Sequence, residues 1–214
     1  MKQLLFLCCV CFIFCTPLRT QEIEYGIKVG LNLADVYSNE LIFNLNGTEE
    51  TIDFKAKTVL RSQFGVWLNI PVSKQLSLQP ELLYTQKAWL IDDDPNNPPT
   101  LYLDYLCLPI LASYQFRNWR FDAGPELSLL LNDYYKEPNG SFTDENPFVE
   151  EYKLELGVNA GVRHVFNRWQ LGLWYNIDLT PFVLFELRDA NGDPSSETIN
   201  LYNQGLQLSL GYRL

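Results

Sequence analysis

The chain has 214 residues, 47% apolar and 14% aromatic, with 26 acidic against 16 basic side chains and a formal net charge of -10. That length suits one domain, and the aromatic content excludes a disordered or collagen-like chain. Nucleic acid is excluded as a partner, because phosphate contacts need clustered Lys and Arg. Beyond the N-terminus no run approaches the ~18 to 20 apolar residues of a membrane-spanning helix.

Residues 1–20 form a unit of their own. Lys2 gives a positive start, Leu4 to Cys15 is uninterrupted apolar sequence, and Thr16, Pro17 and Thr20 precede polar Gln21 and Glu22. This layout predicts a secretory signal peptide over 1–20, cleaved before Gln21, and one mature domain over 21–214. Four of the five cysteines lie in the signal, so Cys107 stands alone in the mature chain and can form neither an internal disulfide nor a cysteine-based metal site.

From Glu24 onward the pattern has a period of two. Tyr25, Ile27, Val29, Leu31 and Leu33 alternate with Glu24, Gly26, Lys28, Gly30 and Asn32, which defines a strand with one apolar and one polar face. The alternation recurs over 63–70, 76–85, 101–116, 119–129, 152–163, 169–178 and 205–214. It is least regular in 101–116, where Leu106, Leu108, Ile110, Ala112 and Tyr114 are assigned to the apolar face. Eight amphipathic strands with no helix between them predict an antiparallel barrel. Short turns at 73–75, 117–118 and 167–168 alternate with long polar segments at 34–57, 90–100, 132–150 and 181–199, the asymmetry of an outer-membrane barrel.

Glycine decides which face is inside. Gly26, Gly30, Gly65, Gly124, Gly157, Gly161, Gly172, Gly205 and Gly211 all fall on the polar face, and a narrow barrel has room inside for small side chains. The apolar face is then outside, where hydrocarbon suits it and water does not. A soluble lipocalin-like binding barrel is the alternative. Aromatic residues at strand ends (Tyr25, Phe116, Trp119, Trp169 and Tyr212 near the short turns, Tyr84 and Tyr152 near the loops) predict interfacial girdles. Pro80, Pro109 and Pro125 interrupt strands and predict local breaks in the ladder.

Several phrases carry a resemblance. Residues 79–87 (QPELLYTQK), Leu108-Pro109 after Tyr105, Gly124-Pro125 with Ser128, and the opening 25–32 (YGIKVGLN) resemble the outer-membrane β-barrel family of Bacteroidetes-type bacteria called the PorT or porin family. Ala88 stands where such proteins usually carry glycine, and Cys107 where an acidic residue is common. The resemblance implies a role as an accessory component of protein export across the outer membrane. At the C-terminus Gln207, Ser209, Tyr212 and Leu214 are similar to the signature by which such barrels are handed to the outer-membrane insertion machinery.

The polar face carries Glu24, Glu81, Asp122, Glu126, Glu155 and Asp178 beside Lys28, Arg61, Lys87, Arg120, Lys153, Arg163 and Arg213. Six acids facing seven bases predict a mutually neutralising lumen network that plugs a small barrel; a small channel is the alternative. The sole histidine, His164, sits beside a short turn with no serine or acid placed to complete a triad, so no catalytic residue is assigned. No His or Cys cluster offers a metal site, and no cofactor is expected. Asp92, Asp93 and Asp94 with Asn96 and Asn97 read as a solvated acidic loop rather than a calcium site. The sequons at Asn46 and Asn139 are uninformative in a bacterial host.

The reading is an all-β, eight-stranded antiparallel transmembrane β-barrel of the small OmpA/OmpX type, non-enzymatic, in the outer membrane and in contact with its lipid, with loops open to a protein partner. The four long segments hold 17 acidic and 4 basic residues, while Lys74, Arg117 and Arg168 mark the short turns. The acidity is therefore an outer crown on a nearly neutral barrel.

Overall fold

The structure, a computed structural model, describes residues 22–38, 41–45, 48–52, 56–91, 100–137, 140–143, 150–151, 153–188 and 194–214. The predicted signal segment, Asn46, Asp92 to Asp94, Asn96, Asn97, Asn139 and Tyr152 lie outside the described residues.

Eight strands make the wall: β1 (Glu24–Ser38), β2 (Leu60–Pro71), β3 (Leu76–Ile91), β4 (Thr100–Phe116), β5 (Trp119–Lys136), β6 (Leu154–Phe166), β7 (Trp169–Asp178) and β8 (Pro194–Arg213). Each pairs antiparallel with the next, and β8 returns to β1, so the sheet closes on itself and leaves no barrel edge. The register at β1 is typical, with Val29 opposite Leu210 on one side and Phe64 on the other. No helix occurs among the described residues. None is long and apolar enough to cross a membrane, a statement that leaves strands free to do so.

Alternation sorts the two faces as the period of two requires. Val29 is 53% exposed and its neighbour Lys28 only 5%, so the apolar side chains point out and the charged ones in. Glycines on the inner face make room for two large indoles. A Cβ on Gly161 would run into the Trp174 ring, and one on Gly26 would meet the Trp67 ring. The turns Arg117-Asn118 and Asn167-Arg168 place their first residues at φ 55° and 56°, the left-handed conformation that tight hairpins demand.

The three strand prolines form a patch. Pairing lapses between Trp67–Glu81 and Ile70–Leu78 beside Pro80, between Pro80–Ile110 and Leu83–Cys107 beside Pro109, and between Pro109–Glu126 and Ala112–Ala123 beside Pro125. Each ring removes an N–H from the ladder, and because Pro80 lies opposite Ile110 and Pro109 opposite Glu126, the gaps fall side by side across β3, β4 and β5.

The long segments differ from expectation. Their polarity predicts loops, yet β1 continues to Ser38, β3 to Ile91 and β5 to Lys136. Leu41–Leu45 and Thr48–Ile52 form a separate hairpin, Ala56–Thr58 pairs with β3, and Val183–Arg188 pairs with β8. Residues such as Tyr134, Tyr135, Val183, Phe185 and Ile199 favour strand, and an antiparallel extension satisfies the backbone groups that an open loop would leave to water. The wall therefore rises beyond the apolar band on the side opposite the short turns.

Candidate functional site

The lumen is filled in tiers. At the short-turn mouth, Glu24 at the start of β1 accepts Arg120 Nη2 at 2.9 Å and pairs with Arg213 of β8. One tier deeper, Lys28 Nζ lies 2.6 Å from Glu81 Oε2 and 4.3 Å above the Trp174 ring, while Gln79 Nε2 donates to Glu81 Oε1 at 2.6 Å. Arg163 of β6 clamps Asp122 of β5 with two bonds of 2.8 Å, and also donates to Gln170 at 2.7 Å and Ser113 at 3.1 Å. Trp174 closes this tier by donating to Ser209 Oγ at 2.9 Å. The fork matches carboxylate geometry, which is why arginine is the residue for a buried bidentate pair.

Above it, Lys87 Nζ lies 2.9 Å from Asp178 Oδ2, 3.8 Å from Glu155 Oε2 and 4.5 Å from the centre of the Tyr105 ring. Asn203 Nδ2 donates to Glu155 Oε2 at 2.8 Å; Ser128 Oγ donates to Glu126 Oε1 at 3.2 Å, and Asn159 Nδ2 donates to the other oxygen of Glu126. Every acid and base of these two upper tiers is at most 5% exposed. Buried charges persist when paired or hydrogen-bonded: Lys28, Glu81, Asp122, Arg163, Lys87, Asp178 and Glu155 are ion-paired, and Glu126 is held by the Ser128 hydroxyl and the Asn159 amide.

Of the thirteen charged residues assigned to the lumen, two stand elsewhere. Lys153 falls just before β6 begins at Leu154 and is exposed, because the strand and its alternation start one residue later. Arg61 has its guanidinium stacked 4.3 Å from the centre of the Tyr102 ring, near the junction where pairing with β3 passes from Ala56–Thr58 to β2. The lumen then holds six acids and five bases instead of six and seven. It remains close to neutral, with the sign of the small excess reversed.

The uppermost tier carries no charge, and sequence reasoning missed it. Trp89 stacks on Phe182 with ring centroids 5.1 Å apart, among Ala34, Leu101, Leu103, Leu130 and Leu201, all at most 8% exposed. Phe182 belongs to the segment after β7, held down by its N–H donating to Leu201 O at 2.9 Å and by Thr180 Oγ1 accepting the Leu156 N–H at 2.8 Å. The signal was present in the irregular segment 101–116, where Leu101, Leu103, Tyr105 and Leu111 put apolar residues on the inward parity too. Between Lys28, Trp67, Arg163 and Trp174 a void of about 10 Å³ remains. That is room for about one water.

The two ends of the predicted assembly signature point different ways. Gln207 and Ser209 are buried in the lumen, Tyr212 meets Trp169 edge to face at 4.8 Å on the outer wall, and Leu214 is exposed at the rim. His164 lies between Trp119 (4.7 Å) and Phe166 (6.0 Å) as part of the same lower aromatic band. Among the described residues no group of three His, Cys, Asp or Glu is placed to hold a metal ion.

A closed antiparallel barrel of eight strands, with its polar residues sealed inside and its apolar residues exposed, is inverted relative to a soluble protein and demands a hydrocarbon solvent. Residues 18–183 match the outer membrane protein beta-barrel domain family. The chain belongs to that family. No curated protein matches it. Among solved structures it is similar to Ail, the attachment invasion locus protein of Yersinia pestis, solved with the heparin analogue sucrose octasulfate, at 11% identity over 91% of this chain and 100% of that one, TM-score 0.45. Neisserial surface protein A is similar at 11% identity over 91% and 100% of the two chains, TM-score 0.49. AlkL, solved by solid-state NMR in DMPC lipid bilayers, is similar at 15% identity over 93% and 95%, TM-score 0.44.

As an outer membrane β-barrel, the chain presents to lipid the exposed band that includes Ile27, Phe64, Leu82, Phe121, Leu156, Leu171 and Leu208. Tyr25, Phe116, Trp119 and Trp169 ring its short-turn end. At the other end the stacked pairs Tyr102–Tyr134 (4.8 Å) and Tyr37–Tyr202 (5.1 Å) supply aromatic groups beyond the predicted Tyr84. Rings with one apolar and one polar edge settle at the headgroup level, so the two belts mark the bilayer boundaries.

Proposed function

We propose that this outer membrane barrel is a non-enzymatic, closed scaffold whose working part is its acidic outer crown. The observation that carries this reading is the sealed lumen. Ion-paired tiers below and the Trp89–Phe182 plug above leave no room for solute passage among the described residues, which argues against the channel alternative. Function then falls to the projecting strands and loops, whose segments hold 17 acids and 4 bases. A surface of that charge steers toward cationic or cation-bridged partners.

The test is cross-linking in intact outer membranes with partner identification, comparing the natural chain with one in which Glu49, Glu50, Asp92, Asp93 and Asp94 are replaced by Gln and Asn. Capture of a partner by the natural chain and its loss from the neutralised one supports the crown as the working surface. A secretion defect on deleting the gene, with the crown dispensable, would replace this reading with the export role implied by the PorT-like resemblance.

A further inference from the structure

Two cavities of opposite character meet at the short-turn end of the barrel. The first is a vestibule of about 690 Å³ at the mouth, lined by Lys74 and Arg168 from turns on opposite sides of the barrel and by Arg120, Arg213, Glu22 and Glu24. Glu24 is already engaged by Arg120 and Arg213, so the exposed turn cations Lys74 and Arg168 give the vestibule its cationic character. The second is a groove of about 360 Å³ on the outer wall, lined by Val66, Leu68, Pro80, Leu82 and Leu108. It lies where the proline patch interrupts the ladders on both sides of β3.

Tyr25 and Leu214 line both cavities, and the Leu214 N–H donates to Tyr25 O at 3.0 Å to make the sill between them. The groove is continuous with the lipid-facing band, so what lies in it is hydrocarbon. The vestibule is a place for negative charge. The two are one residue apart, the relation between the headgroup and the chain of a single amphiphile.

We propose that the rim holds one anionic phospholipid of the periplasmic leaflet, with its phosphate in the vestibule against Lys74 and Arg168 and one acyl chain over the Tyr25–Leu214 sill in the Leu82 groove. The short turns of outer-membrane barrels face the periplasm, which selects the inner leaflet. A free phosphate has no use for the apolar groove. A phosphatidylcholine headgroup would bring its own cation against the two turn cations. The site favours net anionic lipid, at about fivefold per cation contributed.

The test is native mass spectrometry of the folded chain released from nanodiscs of equal phosphatidylcholine and phosphatidylglycerol. Retention of phosphatidylglycerol over phosphatidylcholine is expected, falling about fivefold in Lys74→Ala and again in Arg168→Ala. Both positions are exposed in turns, so the variants keep the wall intact, as heat-modifiable gel migration will verify. Leu82→Trp, which fills the groove and leaves the cations untouched, is expected to release the lipid as well. Equal retention of the two lipids, indifference to both cation variants, or complete displacement by inorganic phosphate would each overturn the proposal.

Discussion

Replacing Arg163 with Met tests whether the lumen tiers hold the barrel together. Arg163 donates four hydrogen bonds, two to Asp122 at 2.8 Å and one each to Gln170 and Ser113. Met keeps most of the apolar stem and removes the charge, stranding Asp122 at 4% exposure with no cation against it. Breaking one partner of a buried pair in this way costs about 3 to 5 kcal/mol. In Arg163→Met/Asp122→Leu no buried charge is left alone. Only Gln170 Oε1 and Ser113 Oγ lose a donor, at about 1 kcal/mol each, so the double variant should recover to within about 2 kcal/mol of the natural chain. Urea unfolding in lipid vesicles followed by tryptophan fluorescence measures both, with Trp174 beside Arg163 as one of the reporters. A single-variant loss below about 1 kcal/mol, or a double variant no more stable than the single, would refute the claim that paired lumen charge holds this fold.

Three further outcomes follow from the same geometry. Gly161→Val drives a side chain into the Trp174 ring and should lower stability by about 2 kcal/mol or more in the same unfolding assay. Lys87→Met, which removes the cation shared by Asp178 and Glu155, should cost about 3 to 5 kcal/mol, whereas Lys153→Gln on the exposed edge should change stability by less than about 0.5 kcal/mol. Cys107, 2% exposed within the lumen, should resist a water-soluble maleimide in the folded barrel and react fully in urea, as a gel-shift or mass measurement will show.

The barrel was legible because alternation is a local signal: Val29 out and Lys28 in can be read from two adjacent letters, and the glycine face told which side was concave. The positions of Pro80, Pro109 and Pro125 announced gaps in the ladder, because a missing N–H does not depend on context. Where the strands end was not legible. The polar segments around Tyr134 and Ile199 read as loops because their sequence shows no sustained apolar alternation, yet strand pairing costs nothing in polarity and extends the wall. Lys153 was misplaced for the same reason, since parity counts only inside a strand. The Trp89–Phe182 plug was hidden for a different one: Phe182 reaches the lumen through an irregular stretch between the Ile177–Gln204 and Val183–Leu201 pairs, and its partner is more than ninety positions away. Partner choice within the charge tiers is likewise a matter of strand register, which no local pattern specifies.

Closure of the lumen by its own side chains is tested most directly by planar-bilayer recording of the purified, folded protein. The predicted result is a silent membrane, with no reproducible step at any applied voltage that the bilayer tolerates. A stable unitary conductance from the natural chain, retained after repurification, would contradict it.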